Sequence, residues 1–249
     1  MRRAFTLVEL LVVVAIITLL VAIFAPVNRS IIIRGRFIVC QSNLHHLGMA
    51  VQNYCGTHRR SPSAWFNAGG TWCAGWPGQL LTFSGYQRKL FWCPAEDPIA
   101  QWIPTFGSPP AGSTGYGYEP GEMPILSGPN GAYFSYGFND WGSQEVGSPG
   151  NPGSGYLGFH EIPLASIREP GRFIELADSS TDKCWDTILD PKDDQYGLTE
   201  SPARRHYDGC NVAMGDGHAE LISYSRITNV DDAEVRRLWN NDNEPHGHN

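Results

Sequence analysis

The sequence predicts an α+β protein in which a long N-terminal membrane-spanning helix packs on an antiparallel β-sheet head with long Gly/Pro-rich loops. Three observations predict this class. Residues 10–27 form an uncharged run of 18 residues, apolar residues then recur at helical spacing up to Tyr54, and the remainder is rich in glycine, proline and aromatic residues. At about 1.5 Å per residue, the first run is long enough as a helix to cross the apolar core of a bilayer.

Glu9 distinguishes three interpretations of this N-terminal segment. A secretory signal peptide, or a plain transmembrane anchor with Arg2 and Arg3 in the cytoplasm, gives no role to a carboxylate at the mouth of the apolar run. A carboxylate buried in a membrane helix requires a cation. If the chain is cut before Phe5, the new α-amino group lies four residues from Glu9, or a neighbouring copy supplies it. We therefore favour Glu9 as the residue that aligns subunits in a helical bundle.

Helical structure is predicted to continue beyond the membrane-spanning residues 5–27. Pro26 lacks an amide proton and is expected to kink the helix rather than to end it. Apolar residues then follow at alternating spacings of three and four: Phe37, Cys40, Leu44, Leu47, Val51 and Tyr54. This spacing is typical of an amphipathic helix with one buried seam, so residues 30–58 are expected to pack on the head.

Residues 59–240 are predicted to form one globular, β-rich head. Strands are expected at residues 133–139 and 172–176, and a β-hairpin at residues 210–222, because Gly215-Asp216-Gly217 is a tight-turn signal. A short helix is predicted at residues 231–239, with its acidic residues first and its arginines last. The polar residues 241–249 are predicted to be a disordered tail.

The composition limits the classes of partner. A net charge of −7 with scattered Lys and Arg argues against nucleic-acid binding.

Six cysteines without a CxxC pair favour disulfides in an exported domain over a zinc ribbon. We predict the Cys40–Cys93 disulfide, because the helix seam and the FWCP segment both indicate contact between helix and head. Two further pairings follow only by elimination: Cys184–Cys210 and Cys55–Cys73.

No cofactor is predicted, with calcium as the alternative. Asp190, Asp193 and Asp194 lie in an acidic stretch of the kind that binds calcium outside the cell, although the spacing is not that of an EF-hand. We favour an ordinary solvated loop. His206 stands ten residues before Asp216, so the two could meet across the hairpin, or join His218 in a metal or catalytic group. A structural role for His206 and Asp216 is favoured.

The N-terminus resembles the class III signal of type IV pilin-like proteins, which include the pseudopilins of type II secretion. Arg2, Arg3 and Ala4 belong to a short leader, residues 1–4, and Glu9 is the fifth residue counted from Phe5. The resemblance implies cleavage between Ala4 and Phe5 by a membrane prepilin peptidase, followed by N-methylation of Phe5. This chain departs from the family at Ala4, where the family usually has glycine. Alanine is also small, so the position before the cut keeps a small residue.

Segments spread over residues 5–222, nearly the whole chain, resemble a narrower group. His206, nine residues and then Asp216-Gly217 are similar to the H-x9-DG signature of a prepilin-like group abundant in planctomycete-type bacteria. Further similar segments are Cys40-x-x-Asn43-Leu44 with Leu47-Gly48, Phe91-x-Cys93-Pro94, and Ser135-Tyr136-Gly137-x-Asn139. The resemblance implies a long helix laid against a β-sheet head, but it supplies no settled biochemical activity.

The predicted function is that of a structural, non-enzymatic pilin-like subunit. Its N-terminal helix would assemble with other copies, with other pseudopilins and with an inner-membrane assembly platform, into an envelope filament or a type II secretion-type pseudopilus. The protein would cross the inner membrane once, with its head outside the cytoplasm. The alternative is a membrane-tethered domain that binds polysaccharide or hydrolyses a ligand and uses the pilin-type signal only for targeting.

Overall fold

The structure, a computed structural model, describes residues 5–63, 65–69, 72–96, 134–139, 141, 162–180, 188–191 and 201–245. Among these, the side chains of residues 25–27, 65–69 and 72–74 are not described. The described chain forms two compact units, residues 1–38 and residues 39–249. The predicted α+β class is confirmed, because one long helix precedes a five-stranded sheet in the described residues.

Helix α1 runs Leu7–His58, in agreement with the predicted end of the long helix. It continues through Pro26, and the predicted kink there stays a prediction. In the first unit its large apolar side chains are exposed, from 45% at Val13 to 78% at Leu7. By length and composition, α1 is the one helix in the described part of the chain that could cross a membrane.

The last turns of α1, from residue 39 onward, belong to the second unit. The predicted seam is confirmed there, since five of its residues are buried: Cys40, Leu44, Leu47, Val51 and Tyr54. The chain then forms a two-stranded antiparallel ribbon, β1 (Trp65–Gly69) and β2 (Trp72–Gly75), followed by helix α2 (Trp76–Leu81) and a 3-10 turn at Arg88–Phe91.

The main sheet has the strand order β5-β3-β4-β6-β7. Three strand pairs of this sheet are antiparallel: β3 with β4, β4 with β6, and β6 with β7. The edge strand β5 pairs in parallel with β3, so the antiparallel sheet that the sequence predicts also contains one parallel pair. The strands are β3 (Tyr136–Asn139), β4 (Ile174–Asp178), β5 (Ile188–Leu189), β6 (Gly209–Met214) and β7 (Ala219–Ser223).

Two apolar clusters lie on opposite faces of this sheet. Successive side chains of a strand point to opposite faces, and successive strand residues here belong to different clusters. Leu176 and Ala213 belong to the cluster that contains the α1 seam. Ala177 and Val212 belong to the cluster that contains Trp239 of the C-terminal helix. The head therefore has three layers, with helices on both faces of the sheet.

The C-terminal layer contains two short helices, α3 (Tyr224–Ile227) and α4 (Ala233–Trp239). Asp232 caps α4 by accepting a hydrogen bond from the Glu234 amide, as the acidic start of the predicted helix requires. The tail prediction is wrong for residues 241–245, because Asn241 and Asn243 are buried. The Arg237 side chain donates to the Asn243 carbonyl at 2.8 Å, which holds this stretch against α4.

Candidate functional site

The start of α1 has a reciprocal capping arrangement around Glu9. One Glu9 carboxylate oxygen accepts hydrogen bonds from the Thr6 amide, at 2.8 Å, and from the Thr6 hydroxyl, at 2.7 Å. The Glu9 amide in turn donates to the Thr6 hydroxyl oxygen at 3.3 Å. This is a capping box, which satisfies amides that have no partner within the helix. Before any processing, Glu9 therefore already has a local partner that the sequence analysis missed, although Thr6-x-x-Glu9 is its sequence signal.

Phe5, the predicted first residue after cleavage, lies directly before the cap and is 73% exposed. Ala4 lies outside the described residues, and the Pro26 side chain is not described. The predicted processing position is thus adjacent to the capping box, and an amine on Phe5 would be four residues from Glu9.

A second arrangement lies inside the head, where four side chains with metal-binding atoms meet. Their ligand atoms all lie within 4.8 Å of one another, and all four residues are buried: Cys40, Cys93, Asp178 and His206. We call these four residues the Cys–His–Asp cluster. They come from α1, from the segment after the 3-10 turn, from the end of β4 and from the turn before β6.

Direct contacts join the members of the Cys–His–Asp cluster. The Cys40 thiol donates to one Asp178 carboxylate oxygen, Oδ1, at 3.2 Å. Cys93 Sγ lies 3.3 Å from His206 Nε2, and that nitrogen lies 3.7 Å from Asp178 Oδ2. The Tyr136 hydroxyl donates to Cys40 Sγ at 3.5 Å. The cluster is therefore a continuous polar group inside an apolar core.

A tight turn orients His206 into this core. The amide and carbonyl of His206 form two hydrogen bonds with those of Gly209, at 3.2 and 2.7 Å. Between them, Tyr207 and Asp208 have φ angles of 47° and 64°, in the left-handed region that side-chain-bearing residues seldom adopt. Backbone strain of this kind concentrates at functional sites, because the rest of the structure must hold it in place.

The electrostatics of the cluster separate its two thiols. The hydrogen bond from Cys40, with contributions from His206 and Arg205, lowers the pKa of Cys93 to about 4 despite burial. Burial raises the pKa of Cys40 well above its usual value, and the neighbouring Cys93 and Asp178 raise it further. The surroundings therefore favour the thiolate form at Cys93 and the thiol form at Cys40.

The acid and the imidazole of the cluster are also perturbed. Burial, and then the charge of Cys93, raises the pKa of Asp178 to about 6. For His206, burial lowers the pKa, but the hydrogen bond to Cys93 and the charges of Asp178 and Cys93 outweigh it and raise the pKa overall. Groups with such opposed influences mark a site rather than ordinary packing.

Arg205 connects the cluster to the protein surface. Its guanidinium Nη1 lies 3.3 Å from Asp178 Oδ1 and donates to the Ser135 carbonyl at 2.7 Å. The same guanidinium pairs with Glu96, and both side chains line an open surface groove of about 500 Å³. Arg205 thus places a fixed positive charge beside the buried acid.

The two halves of the H-x9-DG pattern lie in different surroundings, so the possibility that His206 and Asp216 meet across the hairpin is not realised. His206 faces the buried cluster, whereas Asp216 is exposed and its Oδ1 lies 2.5 Å from His218 Nδ1. The tight turn at residues 206–209 reverses the chain before β6, which directs His206 away from the hairpin turn. A site that combines His206, Asp216 and His218, as the hydrolytic alternative required, does not form.

The Asp216-Gly217 turn instead docks on α1. Gly217 has a φ of 89°. Its carbonyl oxygen lies 2.8 Å from His45 Nδ1, which is hydrogen-bond distance. Gln52 donates to the carbonyl of Gly215 in the same turn. A Cβ atom on Gly48 would lie 3.0 Å from Gly217 Cα, so the two glycines allow a close approach of helix and hairpin.

Two other residues of the predicted motif segments, Asn43 and Asn139, hold neighbouring segments together through hydrogen bonds. Asn43 donates to the Trp92 carbonyl at 3.0 Å, which fixes the segment that carries Cys93. Asn139 donates to the Ile174 and Trp239 carbonyls, at 2.7 and 3.0 Å, and so ties β3 to β4 and α4. Segments far apart in the sequence therefore converge around the cluster and the sheet that carries it.

The predicted disulfides are not present among the described thiols. None of the described thiols forms a disulfide, and all four are buried: Cys40, Cys55, Cys93 and Cys210. Cys40 and Cys93 are neighbours, as predicted, but hydrogen bonds to Asp178 and His206 replace the bond between them. The thiol of Cys210 donates to the Asp178 carbonyl at 3.2 Å. The assigned partners of the other two, Cys73 and Cys184, lie outside the described side chains.

The calcium alternative rests on residues that are mostly outside the description. Asp190 is half-buried at the end of β5, and Asp193 and Asp194 are outside the described residues. Calcium at this stretch stays an alternative prediction.

Comparisons with known proteins place the N-terminus. Residues 1–25 match the family model of the prokaryotic N-terminal methylation motif. Comparisons with curated proteins and with solved structures find no match to this chain. The matched segment contains the predicted cleavage position, the Thr6–Glu9 cap and most of the apolar run. The chain therefore carries the prepilin-type signal of type IV pilin-like and pseudopilin proteins, at the start of a helix able to anchor it in a membrane.

Proposed function

We propose that this protein is a structural subunit that assembles through the N-terminal part of α1 into an envelope filament or a type II secretion-type pseudopilus. The observation that carries the proposal is the exposed apolar surface of residues 7–24, which has a single charged residue, Glu9. Such a surface is stable only against lipid or against other apolar helices. A prepilin peptidase cuts before Phe5 at the inner membrane, and the head lies outside the cytoplasm.

The capping box gives Glu9 two successive roles. In the uncut chain, Thr6 supplies its hydrogen bonds, so the helix can begin without another copy. After cleavage, the amine of Phe5, on the same copy or on a neighbour, adds a positive charge near the carboxylate. The charge of Glu9, beyond its hydrogen bonds, is then what aligns neighbouring subunits.

Matched substitutions at Glu9 separate these roles. Glu9→Gln keeps an oxygen that accepts from Thr6 but removes the charge, whereas Glu9→Ala removes both. We expect both variants to reduce crosslinked oligomers in membranes by at least about tenfold, which corresponds to about 1.4 kcal/mol per subunit contact. Thr6→Ala, the control, keeps the Glu9 charge and loses only the hydroxyl part of the cap, so it should still assemble.

The readouts are crosslinking of the full chain in membranes and mass spectrometry of its N-terminus. The wild-type protein should begin at methylated Phe5. If Glu9→Gln assembles as well as wild type, the charge does not align subunits. If the mature protein retains Met1, or begins well beyond Phe5, the pilin-like assembly itself is contradicted.

A further inference from the structure

The Cys–His–Asp cluster has a function that neither the N-terminal motif nor subunit assembly explains. Four side chains from four separate segments converge, and none of the four is more than 2% exposed. We propose that the Cys–His–Asp cluster binds one zinc ion, which fastens the end of α1 to the β-sheet of the head.

The spacing of the ligand atoms suits a tetrahedral ion. With Zn–S bonds of about 2.3 Å and Zn–N or Zn–O bonds of about 2.0–2.1 Å, neighbouring ligand atoms lie roughly 3.3–3.8 Å apart. Cys40 Sγ to Asp178 Oδ1 measures 3.2 Å, and Cys93 Sγ to His206 Nε2 measures 3.3 Å. His206 Nε2 to Asp178 Oδ2 measures 3.7 Å, and every remaining pair is within 4.8 Å. The widest pairs, at up to 4.8 Å, must shorten by about 1 Å to complete the tetrahedral coordination.

The chemistry of the ligand set selects zinc. Two sulfurs, an imidazole nitrogen and a carboxylate oxygen are all ligands that Zn²⁺ accepts in four-coordinate sites. Calcium and magnesium prefer oxygen ligands only, so the two thiols argue against them. Full burial closes the site to solvent, which is typical of structural rather than catalytic zinc.

The charges around the cluster, which include Glu96 beside Arg205, are largely offset when zinc is bound. Two thiolates and one carboxylate carry three negative charges, and the zinc ion carries two positive charges. The remaining negative charge lies beside the guanidinium of Arg205, whose Nη1 is 3.3 Å from Asp178 Oδ1. Binding requires the Cys40 thiol to lose its proton to solvent, and the His206 nitrogen that faces the metal to be unprotonated.

Outer contacts hold the ligands in position. The Tyr136 hydroxyl donates to Cys40 Sγ, 3.5 Å away. The backbone amide of Asn211 donates to Asp178 Oδ2 at 3.0 Å. Such second-layer hydrogen bonds orient ligands and stabilise thiolate and carboxylate charge. Zinc would thereby connect α1, β4 and the turn before β6 at one point.

The test uses the full chain, purified in detergent with its thiols reduced and then supplied with Zn²⁺ or Co²⁺. We expect one zinc per chain by elemental analysis, and a Co²⁺ form with the absorption bands of tetrahedral thiolate coordination. Cys93→Ser and His206→Ala should each lower zinc affinity at least about 100-fold. Cys55→Ala, the matched control, removes a buried thiol of the same helix outside the cluster and should bind zinc as wild type does.

Two measurements keep the proposal falsifiable if the ligand variants do not fold. Tyr136→Phe keeps all four ligands and should weaken zinc binding by about 10–100-fold, the usual effect of losing a second-layer hydrogen bond. In the wild-type protein, removal of zinc with a chelator should lower the urea midpoint of the head, because bound zinc stabilises only the folded state, and Cys55→Ala should show the same decrease.

Two results would overturn the proposal. The first is a reduced, folded protein that takes up no zinc at the cluster. The second is a Cys40–Cys93 disulfide, found by peptide mapping in protein isolated without reductant from a zinc-replete envelope, because oxidised sulfurs cannot serve as thiolate ligands. A tetrahedral Co²⁺ spectrum that disappears in Cys93→Ser but persists in Cys55→Ala supports it.

Discussion

In the first unit of α1, large apolar side chains are exposed, with Leu11 at 62%, whereas in the second unit the seam residue Leu44 is fully buried. The two parts have the same helical backbone structure, but the first has many more apolar residues per turn. They differ in where the apolar residues lie, since they surround the helix in the first part and follow one face in the second. The first part therefore needs lipid or other copies, and the second is completed by its own head.

The largest effect expected from this comparison is on the stability of the head. Leu44→Ala removes a fully buried side chain and should lower the free energy of unfolding by about 2–5 kcal/mol. Leu11→Ala, the matched control in the first part, should change it by less than about 0.5 kcal/mol. Urea unfolding of the full chain in detergent, followed by tryptophan fluorescence, measures both. Equal effects would show that the two parts do not differ in this way.

The acidic residues of the two regions also differ in exposure. Glu9 is exposed and capped by Thr6, whereas Glu175 in β4 is buried and neither of its carboxylate oxygens has a hydrogen-bond partner among the described residues. Burial raises the pKa of Glu175 to about 8. The folded head therefore holds a proton that the unfolded chain loses near its ordinary value of 4.5.

The contribution of Glu175 to stability should consequently fall as the pH rises, whereas Cys93, whose pKa is lowered to about 4, contributes in the opposite sense. Below the unfolded pKa of Glu175 both states are protonated, and between that value and about 8 only the folded state retains the proton. At roughly 1.4 kcal/mol per pH unit, the loss between pH 5 and pH 7 is about 2–3 kcal/mol. The raised pKa of Asp178, about 6, adds a change of the same sign in the lower part of this window.

Glu175→Gln should remove this contribution, because the amide stays neutral, so between pH 5 and pH 7 the variant should lose about 2–3 kcal/mol less stability than wild type. The measurement is the urea midpoint of the full chain at pH 5 and pH 7, with a chelator present so that metal binding does not contribute. Glu9→Gln is the control and should leave the pH dependence of the head unchanged. If wild type and Glu175→Gln lose stability equally over this range, Glu175 is not the neutral buried acid described here.

The sequence predicted the elements whose pattern is local. The spacing from Cys40 to Tyr54 identified the seam, and the turn signal at Gly215-Asp216-Gly217 identified the hairpin β6–β7. The Thr6–Glu9 cap also had a local signal, which was overlooked because Glu9 was explained by a distant amine. Period and turn chemistry are sufficient for such elements, since the determining residues are neighbours.

The Cys–His–Asp cluster could not be predicted in this way. Its members are separated by 53, 85 and 28 residues along the chain, so no fixed ligand spacing marks them. Their convergence depends on how α1 and the turn at residues 206–209 pack on the sheet, which is a tertiary property. Proximity of Cys40 and Cys93 was anticipated from the seam, but Asp178 was assigned only to the end of a strand. For His206 the sequence suggested only possible partners in the hairpin, because the reversal at Tyr207 and Asp208 has no clear sequence signal.

The smallest effect should separate two glycines of α1, one in each region. A Cβ on Gly35, in the first unit, meets nothing within 4 Å, whereas one on Gly48 would lie 3.0 Å from Gly217 Cα and 3.2 Å from its carbonyl oxygen. Gly48→Ala should therefore destabilise the head by about 1–3 kcal/mol, because the added methyl pushes the hairpin turn from the helix. Gly35→Ala should leave the unfolding of the head unchanged, although it favours helix locally by about 1 kcal/mol.

Urea unfolding of both variants, with the same fluorescence signal, makes this comparison. The separation of the turn would also lengthen the contact between His45 and the Gly217 carbonyl, so the His45 ring resonances should shift in Gly48→Ala and not in Gly35→Ala. If Gly48→Ala were as stable as wild type, helix and hairpin would not be in the close contact that this glycine pair permits. The DG half of the pattern would then need a role other than docking on α1, independent of the zinc ligand that His206 supplies.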